Sequence, residues 1–135
     1  MRGAAATAGM LSAVALLSSG CGRSQDSRAR SDAAEPVRWA AYRVLAARDF
    51  LVSCPGAADR AELASAAERF DELRRFAIRK GAGQSLWLAQ NDYAGVARHG
   101  GREPCVSGDA AFGQALAALN GALDELGGRI AAIPQ

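Results

Sequence analysis

Residues 109–130 of the chain are DAAFGQALAALNGALDELGGRI, and large apolar side chains recur through this stretch in a seven-residue repeat. That spacing places them on one side of a helix, as in helices that pack side by side. Ser107 or Asp109 is expected to cap this helix, because either side-chain oxygen can accept a hydrogen bond from its first N–H groups. Gly127 and Gly128 are expected to loosen its last turn. The repeat consists of Phe112, Leu116, Leu119, Leu123, Leu126 and Ile130.

A second stripe of the same segment carries only small side chains, at Gly113, Ala117 and Gly121. Side chains four positions apart are neighbours on a helix surface. We therefore expect another helix to approach closely along this stripe.

Two further segments have strong helical patterns. The first runs from about Pro36 to Ser53 and is apolar over much of its circumference, which indicates packing against two neighbours. The second runs from Asp59 or Arg60 to Lys80, and Gly81 follows it as a helix stop. Asp59 with Glu62 is expected to form a capping box at its start. Its apolar repeat consists of Leu63, Ala66, Phe70, Leu73 and Ala77.

A third, less regular segment permits a helix from about Ser85 to Arg98, with Gly95 as a weak point. Together the segments predict an all-α domain over residues 36–133. Its architecture is expected to be an antiparallel three- to four-helix bundle with up-down-up-down topology.

Two cysteines test this topology. Cys54 lies at the turn after the first helix, and Cys105 lies at the junction before the last one. In an up-down-up-down bundle these two junctions lie at the same end. We therefore predict a Cys54–Cys105 disulfide, which an oxidising compartment would permit. Two free thiols or a zinc site are the alternatives, but two Cys and one His do not complete a zinc site.

The first part of the chain has the pattern of a targeting signal. Arg2 precedes an apolar run from Ala4 to Leu17, which at about 14 residues is too short for a permanent membrane span. A charged start, a short apolar core and a small-residue exit are typical of a secretory signal, here residues 1–20. The following stretch to Glu35 has no large apolar residue and predicts a flexible tether over residues 21–35.

The exit of this signal, Ser19-Gly20-Cys21 with Leu16 and Leu17 upstream, resembles the lipobox of bacterial lipoprotein precursors. It departs from the usual pattern at Ser18, where the family has Leu. The resemblance implies that Cys21 receives a diacylglyceryl group, carries fatty acids such as palmitate and becomes the new N-terminus. Gly22, in place of Asp, implies the outer membrane, with the domain on the periplasmic side of the cell envelope. Simple secretion with a free Cys21 is the alternative.

The charge of the chain does not favour nucleic acid as a partner. The formal net charge is +2, and the fifteen arginines and one lysine are distributed among fourteen acidic residues. Nucleic-acid binding depends on clustered basic residues that neutralise phosphates, and the sequence has no such cluster.

The sequence offers little for catalysis, so no catalytic, cofactor-binding or metal-binding residue is assigned. His99 is the sole histidine, and as a general base it would need Asp92 or Glu103 to orient it. A solvated histidine at a helix end is the simpler interpretation. Haem ligation and a di-metal carboxylate site both lack the required residues. No glycine-rich phosphate loop and no serine nucleophile elbow occurs.

One group of residues remains as a candidate binding surface, because it combines aromatic rings with amide, carboxylate and guanidinium groups. Such a group could hold a glycan, a peptide or a partner protein. The simpler alternative is a helix whose aromatic side chains cover the bundle with their polar tips outward. The group consists of Trp87, Gln90, Asn91, Asp92, Tyr93, Arg98 and His99.

These patterns favour a lipid-anchored, non-catalytic envelope protein that binds an envelope protein or a cell-wall component. The first alternative is a carrier of small apolar ligands within the bundle, and an enzyme is the less favoured one. A large interior pocket would favour the carrier, whereas an exposed apolar patch around Trp87 would favour the interaction module.

Overall fold

The computed structural model describes residues 18–99 and 104–135, with side chains from Arg28 onward. This part of the chain is all-helical and contains no strand. Its elements in chain order are α1 (Ser18–Val52), a short 3-10 helix (Ala57–Asp59), α2 (Ala61–Arg79), α3 (Gly83–Arg98) and α4 (Asp109–Ala131).

The four long helices form a bundle with alternating directions. α1 packs most extensively against α4 and next against α3, while α2 packs more lightly against the same two helices. The end of α2 returns to the first half of α1, where Ala34 and Arg79 line one cleft. The start of α4 lies beside the start of α2, where Arg60 contacts Asp109. The predicted all-α, up-down-up-down bundle is therefore confirmed.

The apolar repeats of α2 and α4 contribute much of the buried core, together with residues of α1 and α3. In α4, five of the six repeat positions are buried, and Leu116 is half-buried. In α2, Ala66, Phe70 and Ala77 are buried. No buried polar side-chain atom of the described residues lacks a hydrogen-bond partner. The repeats thus place the packing face of both helices correctly.

The predicted disulfide joins the two turns at one end of the bundle. Cys54 and Cys105 are both buried, and their Cα atoms lie 4.7 Å apart. Beside the bridge, the N–H of Cys105 donates to the Ser53 hydroxyl at 3.0 Å. This end is held together by a covalent bond and by a hydrogen bond.

The first helix begins much earlier than the sequence predicted. α1 starts at Ser18, and Pro36 lies inside it instead of at its first turn. Arginine and alanine favour helix, so the polar stretch before Pro36 can take a helical backbone without burying a large side chain. From Arg28 to Asp32 its described side chains are exposed, while Ala33 contacts the core. The flexibility expected of residues 21–35 stays a prediction.

The predicted helix caps were wrong. Arg60 and not Asp59 is the N-cap of α2, because Asp59 belongs to the preceding 3-10 helix. Gly108 is the N-cap of α4, and neither cap residue makes a side-chain hydrogen bond.

α4 also continues through Gly127 and Gly128 to Ala131. Gly127 lies against α2, where an added Cβ would come within 3.4 Å of Leu73.

The small-residue stripe of α4 does not receive a helix of the described bundle. Gly113, Ala117 and Gly121 are all exposed, and a Cβ added at either glycine would meet nothing within 4 Å. The helices instead pack against the leucine face of α4, where more apolar area is removed from water.

Candidate functional site

The candidate binding residues belong to α3, which divides them between two faces. Gly81 has φ +81°, a left-handed conformation that ends α2 and allows α3 to begin at Gly83. Because an α-helix repeats every 3.6 residues, side chains three and four positions apart share a face. Trp87, Gln90, Asn91 and Arg98 share one face, whereas Asp92 and Tyr93 lie on the side toward α1.

We call Trp87, Gln90, Asn91 and Arg98 the outer face of α3. The Trp87 side chain is 58% exposed, and the other three residues are also exposed. No hydrogen bond or ion pair ties these four side chains to the described part of the chain. They present one large ring beside amide groups and a guanidinium, all available to a partner.

Asp92 belongs to the helix–helix interface instead of the outer face. The guanidinium of Arg38 on α1 donates two hydrogen bonds to this carboxylate, from Nε at 2.7 Å and from Nη2 at 3.0 Å. These hydrogen bonds, opposed by partial burial and aided by the charge of Arg38, lower the pKa of Asp92. The same hydrogen bond raises the pKa of Arg38. The pair holds α3 in a fixed position along α1.

Tyr93 completes this interface. Its hydroxyl donates to the Asp49 carboxylate on α1, and its ring packs edge-on against Tyr42, with ring centroids 5.7 Å apart. Tyr42 in turn meets Trp39 at 6.1 Å, also edge-on. Such aromatic pairs contribute beyond their buried area, so this row supports the α1–α3 packing.

The sequence prediction missed Trp39, which is 44% exposed on α1. Its indole N–H donates to Glu35 at 3.0 Å, and the Arg38 guanidinium lies 5.3 Å from its ring centroid. The four-residue spacing of Glu35 and Trp39 on one helix face was the available signal for this contact. The contact of Arg38 with Asp92 joins residues that are 54 positions apart, and the sequence contained no comparable signal for it.

His99 lies exposed at the C-cap of α3, as expected for a solvated helix-end histidine. Asp92, one of its two expected orienting partners, is engaged by Arg38. Glu103, the other expected partner, lies outside the described residues, as do residues 1–17 of the predicted signal. The side chain of Cys21 also lies outside them.

Two clefts of the described structure bear on the carrier alternative. One of about 500 Å³ opens at the bundle end where α2 turns into α3, and its lining includes Arg30, Arg79 and Lys80. The other, of about 430 Å³, lies between α2 and α4, with Glu62 and Arg69 in its lining. Charged side chains at both clefts make them poorly suited to an apolar ligand.

The described residues contain neither a candidate membrane span nor a candidate metal site. No described helix combines the length and the hydropathy needed to cross a bilayer. Within the same residues, no three His, Cys, Asp or Glu side chains come together as a possible metal site.

Comparison of this chain with protein-family models, with curated proteins and with solved structures finds no match.

Proposed function

We propose that this chain is a lipid-anchored protein of the cell envelope, attached through Cys21, whose bundle serves as a non-catalytic interaction module. The observation that carries the anchor is the sequence at the end of the apolar segment, where Ser19 and Gly20 precede Cys21. Gly22 favours the outer membrane, with the bundle on its periplasmic side. Lipid chains hold a protein through burial of methylene groups, at about 0.8 kcal/mol for each one.

The disulfide supports an envelope location independently of the apolar segment. Cys54 and Cys105 lie in the folded domain, far from Cys21 in sequence, and they are positioned for a bond. Structural disulfides persist in oxidising compartments and are rare where cellular thiols keep cysteines reduced.

The outer face of α3 supports the interaction module. Trp87 exposes most of its side chain, and Arg98 lies on the same face three turns further along. Tryptophan and arginine are enriched among the residues that contribute most to protein interfaces. The carrier alternative has weaker support, because charged side chains line both clefts described above. We propose an envelope protein or a cell-wall component as the partner.

The first test is the intact mass of the protein from the membrane fraction, compared with the Cys21→Ala variant. We expect the wild-type chain to begin at Cys21 and to carry the added mass of a lipid group. Alkylation with and without prior reduction should modify two thiols only after reduction.

Cys54→Ser combined with Cys105→Ser is the matched control, because it should keep the lipid and lose the reducible bond. A wild-type chain that is soluble and carries no lipid would contradict the anchor. Thiols that react without reductant would remove the support that the disulfide gives to the envelope location.

The interaction face can be tested by a photo-crosslinking amino acid at Asn91 in cells. Gln114, which is exposed on α4, is the matched control position. We expect a discrete crosslinked product from position 91 that Trp87→Ala removes, and no such product from position 114. Equal products from both positions, insensitive to Trp87→Ala, would contradict the proposed face.

A further inference from the structure

One end of the bundle has three basic side chains around a single cleft. We call this the basic end: Arg30 on α1, together with Arg79 and Lys80 where α2 turns into α3. The cleft has a volume of about 500 Å³, and none of the described residues that line it has an acidic side chain. Asp32, the nearest acidic residue to Arg30 along α1, is exposed and is not part of the lining.

The three cations form no ion pair within the described chain. Other arginines form ion pairs between helices, such as Arg38 with Asp92 and Arg60 with Asp109. Arg30, Arg79 and Lys80 make no ion pair with the described residues. The Arg79 guanidinium instead lies 5.8 Å from the ring centroid of Phe76, which leaves its charge available. Unpaired cations around one cleft favour an anionic partner.

The basic end is also the end nearest to Cys21. Along α1, Arg30 lies nine positions after Cys21, which corresponds to about 14 Å of helix. The headgroup layer of a bilayer takes up about 6 Å of that distance. The remaining gap is close to the Debye length of about 8 Å at physiological salt, even for an upright helix. The disulfide end lies roughly 33 Å further along α1, beyond the reach of such attraction.

An exposed apolar side chain accompanies the charges. Ile78 is 60% exposed and directly precedes Arg79, beside the first turn of α3. It packs next to Gly83, where an added Cβ would come within 3.3 Å of its Cγ1 atom. An apolar side chain next to basic ones is a combination that binds the interface of an anionic membrane.

We propose that the basic end docks on the anionic headgroups of the membrane that holds the anchor. This inference rests on the proposed lipid anchor and adds a second, electrostatic contact to it. Arg30, Arg79 and Lys80 bind headgroup phosphates, and Ile78 enters the interface next to Arg79. α1 then tilts from the membrane normal, which closes the remaining gap between the basic end and the headgroups, while the disulfide end stays away from the membrane.

The test uses Lys80, which is the only lysine in the chain and therefore a specific reporter. The full protein from the membrane fraction is reconstituted with vesicles of phosphatidylcholine, with or without phosphatidylglycerol. Neither lipid has a reactive amine. An amine-acylating reagent is added, and mass spectrometry follows modification of the peptide that contains Lys80.

We expect acylation of Lys80 to be roughly fivefold slower or more on the anionic vesicles, because each basic residue near such a surface strengthens binding about fivefold. High salt should remove the difference. Arg30→Gln combined with Arg79→Gln should remove most of the protection. Arg48→Gln combined with Arg69→Gln removes the same charge elsewhere on the surface and should leave the protection in place.

Equal acylation rates on the two kinds of vesicle would overturn the docking, as would equal protection in the two double variants. The intact mass of the same sample reports the anchor separately. Lipid on Cys21 without protection of Lys80 overturns the docking alone. Protection by anionic vesicles without lipid on Cys21 supports the docking and overturns the anchor.

Discussion

At the scale of single residues, the contact between Arg38 and Asp92 fixes α3 against α1. Two hydrogen bonds, at 2.7 and 3.0 Å, join one guanidinium to one carboxylate across the interface. Such two-point contacts impose direction as well as attraction, because both groups are planar. This pair therefore contributes to the alignment of the two helices as well as to their attraction.

We expect stability to depend on pH through Asp92. Its folded-state pKa is lowered, first by the hydrogen bonds from Arg38. The stabilisation is therefore complete above the ordinary Asp pKa of about 3.9, and it is lost as pH falls through the lower folded-state value. Asp92→Asn should lower the urea midpoint at neutral pH. The difference from wild type should shrink as the pH falls below the ordinary Asp pKa, where the folded-state carboxylate begins to take up its proton.

The control for this experiment is Asp109→Asn, because the Asp109 side chain is 97% exposed although it contacts Arg60. It should change the midpoint little at either pH, since exposed ion pairs contribute little to stability. A difference between wild type and Asp92→Asn that persists unchanged in acid would contradict the titration of this carboxylate.

The candidate surface was only partly predictable from the sequence. Periodicity gives the angle between Trp87 and Asp92 around a helix, but it does not tell which of them faces a neighbour. That depends on Arg38, 54 positions away in the chain, which the tertiary packing brings to Asp92. The exposed positions of Trp87, Gln90 and Asn91 then follow from the same rotation of α3.

At the scale of helices, α4 has a glycine that its fold does not require. Gly121 lies inside the helix, and a Cβ there would meet nothing within 4 Å. Gly121→Ala should raise the free energy of unfolding by about 0.5–1 kcal/mol, because alanine loses less backbone entropy on folding. Urea denaturation measures the change.

Gly81→Ala is the opposite case and serves as the contrast. Gly81 has φ +81°, where a residue with a Cβ costs roughly 1–2 kcal/mol. The Gly81→Ala substitution should therefore lower the free energy of unfolding by about that amount. If both alanine variants moved stability in the same direction, the assignment of Gly81 as the end of α2 would be wrong.

Pro36 interrupts the backbone hydrogen bonds in the first part of α1. It cannot donate to the carbonyl of Asp32, and an interior proline costs about 3 kcal/mol relative to alanine. Pro36→Ala should slow amide hydrogen exchange in residues 31–35, measured by mass spectrometry. Pro134→Ala, outside α4, is the control and should leave that exchange unchanged. An unchanged rate in Pro36→Ala would show that the proline does not limit this segment.

The sequence predicted α2 and α4 well because their apolar repeats are long and regular. It missed the start of α1, and it placed the N-caps of α2 and α4 one residue away from where they lie. Pro36 favours a first-turn position, yet the residues before it also favour helix, and α1 runs through it. The caps at Arg60 and Gly108 have no side-chain hydrogen bond, so no capping residue marked them.

At the scale of the whole molecule, the disulfide links the two ends of a long loop. Cys54 and Cys105 are 51 positions apart. Replacing both with serine should lower the free energy of unfolding by about 4 kcal/mol in the chain-entropy description. Urea denaturation of the oxidised protein measures this loss. The sequence predicted the pairing because the helix order alone puts both turns at one end.

Cys21→Ala is the control for the double serine variant, because Cys21 lies outside the bundle domain predicted for residues 36–133. It should leave the urea midpoint close to that of the wild-type protein. A double variant as stable as wild type would indicate that the helices hold this end together without the bond.

The position of the disulfide also determines how tension passes through the protein. Consider a force applied between the start of α1 and the end of α4. Its covalent path follows α1, crosses the disulfide from Cys54 to Cys105 and continues into α4. The chain between the two cysteines would extend to about 170 Å if stretched, but it lies outside this force path. The bridge therefore keeps the backbone of α2 and α3 out of the covalent path of this load, and it limits how far the chain can extend.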